Sequence, residues 1–207
     1  MKTIITIFLL VATGFANAQQ PQKSAIANPD QWTVHNRKVS FSDEAIHLNA
    51  QPGDGVLWLN DFEFKNGTIE LDIKGKNAPG QSFVGFAFHG KHDNTFDAVY
   101  FRPFNFKNPE RNDHSVQYIS MPENDWSTLR NAFPGKYENT VNPVPNPEDW
   151  FHVKIEVDFP DVKVYVNGAV KPSLSVKQIS EHKQGKLGLW VGNNSEGWFK
   201  NVKIYQK

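Results

Sequence analysis

Between residues 150 and 205 apolar and polar side chains alternate in four successive runs, each closed by residues suited to a tight turn. In Trp150–Phe159 (WFHVKIEVDF), Phe151, Val153, Ile155 and Val157 fall on one face and His152, Lys154, Glu156 and Asp158 on the other. Pro160-Asp161 turns the chain into Val162–Val166, and Asn167-Gly168 turns it again; Lys186–Val191 and Trp198–Tyr205 follow, each bounded by glycine. Successive side chains of a strand point to opposite faces, so this pattern with these turn residues predicts antiparallel hairpins.

The same signal recurs upstream in Thr68–Lys74, Ser82–His89, Phe96–Phe104 and Ser115–Ser120. About eleven short strands with turn signals every 8–12 residues predict an all-β fold, an antiparallel two-sheet β-sandwich or jelly roll. The expected core includes Val84, Phe86, Val99, Phe101, Val153, Ile155, Val157, Val164, Val166, Leu187, Leu189 and Ile204. Asp125–Asn131 and Val176–Glu181 are each expected to hold a short helical turn. The segment Met121–Asp149 loses the alternation and carries Pro122, Pro134, Pro143, Pro145 and Pro147. A loop this long is either a cover over a sheet edge or part of a binding site.

At the N-terminus Lys2, the apolar run Ile4–Val11 and Ala16-Asn17-Ala18 have the layout of a secretory signal peptide. Residues 1–18 are therefore expected to be removed on export to a periplasm or the cell exterior. Residues 19–30 are expected to be a loose N-terminal segment, and 31–207 a single sandwich domain. No later apolar stretch is long enough to predict membrane insertion. The chain has no cysteine, which excludes thiol catalysis and thiolate-bound metals, and its formal net charge is zero with no basic run, which argues against nucleic acid.

Several segments in order resemble the concanavalin A-like lectin and glucanase superfamily, in particular its laminin-G-like and bacterial secreted members: Asn66–Ile73, Ala98–Phe106, Trp150–Val157, Val164–Gly168, Gly185–Gly192 and Gly197–Ile204. The layout is also similar to the bacterial domain described as a 3-keto-disaccharide hydrolase. The resemblance implies a concanavalin A-like sandwich and a carbohydrate partner. That superfamily contains hydrolases, lyases, lectins and adhesion modules, so the fold alone does not choose among them.

Candidate site residues follow from facing. Glu70 and Asp72 lie two apart on one strand and so share a face, the minimum for acid–base work on a glycosidic bond. They resemble part of the Glu-x-Asp-x-x-Glu motif of laminarinase-type enzymes, but Ile73, Lys74 and Gly75 follow and the second glutamate is missing. Tyr100 and Arg102 share a face beside Phe83, Gly85, Ala87 and, by alternation, His89, giving a floor on which a flat ligand lies. Gln117 is grouped with them, and Trp126, Arg130 and Tyr137 from the proline-rich segment are expected to form a wall. His114 is the alternative proton carrier, with an ordinary pKa near neutrality. On this reading Arg102→Ala weakens binding and leaves the fold intact. The spacing of His89, His92, His114 and His152 is not diagnostic of a zinc site, and solvated loop histidines are the simpler expectation. No cofactor is expected, although Asp and Asn in the turns allow structural calcium. Three readings stay open: a sugar-binding module with its groove on one sheet face, a glycoside hydrolase or polysaccharide lyase, and an adhesion module with no sugar site.

Overall fold

The alternating runs fold as the strands their periodicity predicts. A computed structural model describes Lys23–Ser24 and residues 28–207; the expected export segment 1–18 lies outside the described residues, as does most of 19–30. The strands in chain order are β1 (Lys23–Ser24), β2 (Trp32–His35), β3 (Val39–Phe41), β4 (Ile46–Leu48), β5 (Gly55–Leu59), β6 (Gly67–Lys74), β7 (Val84–His92), β8 (Thr95–Phe101), β9 (Val116–Met121), β10 (Glu138–Asn139), β11 (Phe151–Asp158), β12 (Asp161–Val166), β13 (Leu174–Lys177), β14 (Lys186–Val191) and β15 (Gly197–Gln206). One sheet has the order β13-β12-β11-β6-β15-β4-β3, with β1 also on β15; the other runs β10-β9-β8-β7-β14-β5-β2. Every pairing is antiparallel. The fold is a β-sandwich jelly roll.

Burial follows the alternation strictly in the central strands β6 and β11 of the first sheet. Ile69, Leu71 and Ile73 of β6 and Phe151, Val153, Ile155 and Val157 of β11 are buried, while the residues between them are partly exposed. From the second sheet Val84, Phe86, Val99 and Phe101 face them, and all twelve expected core residues are buried. The hairpin turn at Asn167-Gly168 takes the left-handed conformation at both positions, φ 49° and 72°, as a two-residue turn matched to strand twist requires.

Two short helical expectations had different outcomes. Asp125 caps a seven-residue helix, α1 (Trp126–Ala132), its carboxylate accepting from the Thr128 N–H at 2.7 Å. Val176–Glu181 is not helical where expected: Leu174 and Val176 alternate inward as β13, paired to Val164 and Val162 of β12. An edge strand with a free neighbour to pair against outcompetes one isolated turn.

In the second sheet both faces are covered over much of their area, so β5, β7 and β8 read as nearly continuous buried runs. One transverse row of its outer face is Val56, Trp190, Gly85, Tyr100, Gln117 and Glu138, one residue per strand. The next row is Trp58, Gly188, Ala87, Ala98 and Ile119. Small residues at the centre of both rows leave a trough, between Trp190 and Tyr100 in the first row and between Trp58 and Ile119 in the second. Gly85 is required there: a Cβ would sit 2.2 Å from the Val99 carbonyl oxygen and 2.6 Å from Tyr100 Cβ.

Candidate functional site

The trough is roofed at one end by α1, which the buried Leu129 anchors. Trp126, in its first turn, is 47% exposed and leans over the sheet. Two clefts meet at Trp126 and Phe83. The first, about 210 Å³, is lined by Tyr100 and Trp190 with Asp54, Asp125 and Asn193. The second, about 220 Å³, is lined by Arg102, Arg111, Arg130 and His114. A single groove thus has an acidic, aromatic half and a basic half.

The basic half is held by a hydrogen-bonded network. Arg102 is only 5% exposed. Its Nη2 donates to the Tyr100 hydroxyl and, at 2.7 Å, to Gln117 Oε1. Its Nη1 donates to the His114 carbonyl at 3.0 Å and lies 3.8 Å from Glu138 Oε2. The guanidinium lies within 6 Å of the rings of Tyr100 (4.8 Å), Phe83 (5.8 Å) and Trp126 (5.9 Å), a cation among aromatic faces. Arg130 grips Glu138 with both arms, Nε to Oε1 at 2.8 Å and Nη2 to Oε2 at 2.6 Å. His114 Nδ1 lies 3.0 Å from Glu138 Oε2, close enough for an ion pair but not aligned for a hydrogen bond. Burial pushes the Glu138 carboxyl up; the Arg130 fork and the charges of His114 and Arg102 outweigh it and leave the group below the usual carboxylate range.

The acidic half rests on Arg37. This nearly buried guanidinium donates to the carbonyls of Asn36, Gly53 and Gly192, so it ties the turn at 52–55 to the segment after β14. Gly55 leaves it room, since a Cβ there would lie 2.3 Å from Arg37 Cγ. Asp54 projects into the cleft from that turn. Burial raises its carboxyl above the ordinary range, with the Arg37 charge, the Asn193 N–H and the Trp190 indole opposing. Asp125 also meets burial, but the Thr128 and Ser127 groups it caps lower it overall.

Of the residues expected from sequence, the structure brings together Tyr100, Arg102, Gln117, His114, Trp126 and Arg130. It separates four others. Glu70 and Asp72 share a face, but it is the outer face of the first sheet, across the sandwich from Tyr100. There Asp72 binds His152 Nδ1 at 2.8 Å and Asn201 Nδ2 at 2.6 Å, and Glu70 lies in register with Lys154 and Lys203. His89 does not face the groove. The β7–β8 register slips after Phe88 and His89 takes φ 51°, which turns its ring inward. Buried there, it lies 2.6 Å from the Lys65 carbonyl and 3.0 Å from Gln178 Nε2, and burial lowers its pKa. Tyr137 is 6% exposed and packs on Tyr118, not on the groove wall.

Phe83, expected on the outer face beside Tyr100, lines both clefts, whereas Asp54, Arg111, Asp125, Glu138 and Trp190 were not among the expected residues. Trp190 had a signal: with Leu187 and Leu189 inward, alternation places it outward. Glu138 had none, since its strand is two residues long. Among the described residues no group of three or more His, Asp or Glu is placed to hold a metal ion, so the calcium allowed by the turns gains no support from the geometry. No described helix is long and apolar enough to cross a membrane.

The model of the 3-keto-alpha-glucoside-1,2-lyase-like domain matches residues 25–205. No curated protein matches in sequence. Among solved structures, the carbohydrate-binding module CBM66 from Bacillus subtilis is 17% identical, covering 89% of this chain and 100% of its own, with a TM-score of 0.65. A native glycosidic hydrolase is 15% identical over 90% of this chain and 96% of its own, TM-score 0.61. The exoplasmic/lumenal domain of VIP36, in a form bound to Ca2+ and Man3GlcNAc, is 12% identical over 89% and 88%, TM-score 0.60. At these identities the likeness is one of fold.

Proposed function

Because the chain belongs to the 3-keto-alpha-glucoside-1,2-lyase-like domain family, we propose that it binds a carbohydrate in the groove across β7, β8, β9 and β14. One observation carries this reading: Phe83, Tyr100, Trp126 and Trp190 share a cleft with Asp54, Asp125 and Asn193. A sugar ring offers apolar C–H faces and a rim of hydroxyls. Aromatic faces cover the first, and carboxylates and an amide take the second. The descriptions of CBM66 and of the Man3GlcNAc-bound VIP36 domain support a carbohydrate partner. Export belongs to the same reading and rests on Lys2, Ile4–Val11 and Ala16-Asn17-Ala18; secretion of a full-length chain with cleavage after Ala18 tests it.

Trp126→Ala is expected to cost tenfold or more in affinity, about 1.4 kcal/mol, for whichever oligosaccharide of a panel binds by calorimetry. Its side chain is exposed, so the melting temperature is expected to hold. Glu70→Gln, on the opposite sheet, is expected to change neither binding nor any turnover. Binding that survives Trp126→Ala but is lost in Glu70→Gln would move the site to the first sheet.

A second reading, elimination on a 3-keto-α-glucoside, is favoured by Asp54. The C3 ketone acidifies the C2–H bond. A base takes that proton, the electron pair forms the C1=C2 double bond, and the C1–O bond breaks with the departing oxygen taking a proton from solvent. Asp54 lines the cleft, and burial raises its carboxyl in the direction that suits a proton-carrying group. Asp54→Asn is expected to abolish formation of an unsaturated product while sugar binding persists. An unchanged rate in that variant, or no unsaturated product from the parent protein, selects the non-catalytic reading.

A further inference from the structure

We infer that the basic half of the groove, taken with the carbohydrate reading on which this rests, receives a sugar bearing a carboxylate, as a uronic acid does, next to a neutral ring in the acidic half. Four basic residues, Arg102, Arg111, Arg130 and His114, line this cleft, and no acidic residue does. The neighbouring cleft has the opposite composition, with Asp54 and Asp125 and no basic residue. The two share Trp126 and Phe83, so adjoining rings of one chain would meet opposite charge environments.

Local ion pairing leaves positive charge over. Behind the cleft Glu138, nearly buried, faces Arg130, Arg102 and His114 together. Among the described residues, the only other carboxylate paired here is the exposed Asp113, 3.6 Å from His114 Nε2. Arg111 is exposed and has no side-chain partner among the described residues, and Arg130 commits only Nε and Nη2 to Glu138. Planar guanidinium groups suit a carboxylate.

A second feature argues for an acidic sugar over a simple anion. Asn105 lines the same cleft and is 3% exposed. Its Nδ2 donates to the His114 carbonyl at 3.1 Å, while its Oδ1 has no hydrogen-bond partner among the described residues. A buried acceptor without a donor is costly. Oδ1 itself has almost no exposed surface, so a ligand reaches it only as the Asn105 side chain or a cleft neighbour shifts; a ring hydroxyl then donates to it, and an anion without hydrogen does not. The occupant that fits both features carries negative charge and hydroxyl donors on one ring.

The test is a matched pair: an α-linked gluco-oligosaccharide and its counterpart oxidised to the carboxylate at C6, titrated into the full chain by calorimetry. The oxidised form is expected to bind at least tenfold more tightly at low salt, with the advantage shrinking as ionic strength rises. Arg111→Glu is expected to cancel or reverse that preference, and Arg111→Gln to reduce it; both fold, since Arg111 is exposed. Equal affinity of the parent protein for the two forms overturns this inference alone. So does a preference that both Arg111 variants leave intact. Failure of both sugars to bind overturns the carbohydrate reading of the groove and this inference with it.

Discussion

Arg102→Ala is expected to lower the free energy of unfolding by about 3–5 kcal/mol, the range for removing one member of a buried charged pair. It is also expected to abolish sugar binding in the molecules that stay folded. The residue's position just past β8 accounts for both effects. Its guanidinium satisfies Gln117 Oε1, the Tyr100 hydroxyl and the His114 carbonyl at once. Truncation takes one donor from each of those groups in a nearly dry site, leaving the His114 carbonyl only Asn105 Nδ2 and Gln117 Oε1 only the Tyr100 hydroxyl at 3.4 Å, and opens a hole between Phe83, Tyr100 and Trp126. It also takes away one of the cations that hold Glu138 ionised. Arg102→Lys restores charge but not the fork, so it is expected to recover only part of the loss. Urea titrations of the three proteins, with sugar binding measured below the transition, check this. A stability change under 1 kcal/mol in Arg102→Ala would mean that the network is not what secures the groove.

That expectation differs from the one drawn from sequence, in which Arg102 reaches the ligand and the fold survives without it. Alternation correctly put Tyr100 on the groove face, because a strand's period is two and its buried partners Val99 and Phe101 are unmistakable. It could not say that the sheet's outer face would be roofed. The roof is α1, and the proline-rich sequence around it has no period to read. Placement of Arg102 therefore depended on a contact between segments about 36 residues apart, Arg102 with Glu138, which no local pattern encodes.

Glu70 and His89 fail for two further physical reasons. Glu70 was read correctly as facing outward from its strand, but which of two sheets a strand joins is a long-range choice. Here β6 pairs with β11 and β15, and the groove strands pair among themselves. His89 fails through one irregular residue: a register slip reverses every side chain beyond it, and a histidine at positive φ is not foreseen by a pattern that assumes regular strand. The core was legible because nearly every inward position of this two-sheet sandwich is apolar, Asp97 being a buried exception. The site was legible only where it borrowed the same alternation, at Phe83, Tyr100, Gln117 and, in hindsight, Trp190.

The inward turn of His89 has a partner whose loss is expected to be equally large. Asp97 is fully buried between the sheets, where Tyr118 Oη donates to Oδ1 and where Ser180 Oγ at 2.5 Å and Gln178 Nε2 at 3.1 Å donate to Oδ2. Gln178 in turn lies 3.0 Å from His89 Nδ1, so one carboxylate organises residues from β8, β9, the bulge of β7 and the segment after β13. Asp97→Ala takes an acceptor from the buried Tyr118 hydroxyl and Gln178 amide and from the half-buried Ser180 hydroxyl, and is expected to cost about 3–5 kcal/mol, since each unmet buried group costs about 1–3 kcal/mol and the cavity adds to it. Asp97→Asn separates charge from shape. Burial raises the Asp97 carboxyl above its ordinary 3.8, with the Ser180, Tyr118 and Ser120 hydroxyls and the His89 charge opposing. The folded state therefore holds this proton more tightly than the unfolded chain does. The group's contribution is fully present below the unfolded value and is lost as pH rises through the folded one. Glu138 and Asp125, whose carboxyls are lowered on folding, tilt the whole protein the other way, so the quantity to read is the difference between the two proteins. From just below pH 4 upward, Asp97→Asn is expected to gain stability relative to the parent in urea midpoints taken at half-unit steps. A difference that stays flat across that range would mean that Asp97 titrates alike in the folded and unfolded chains.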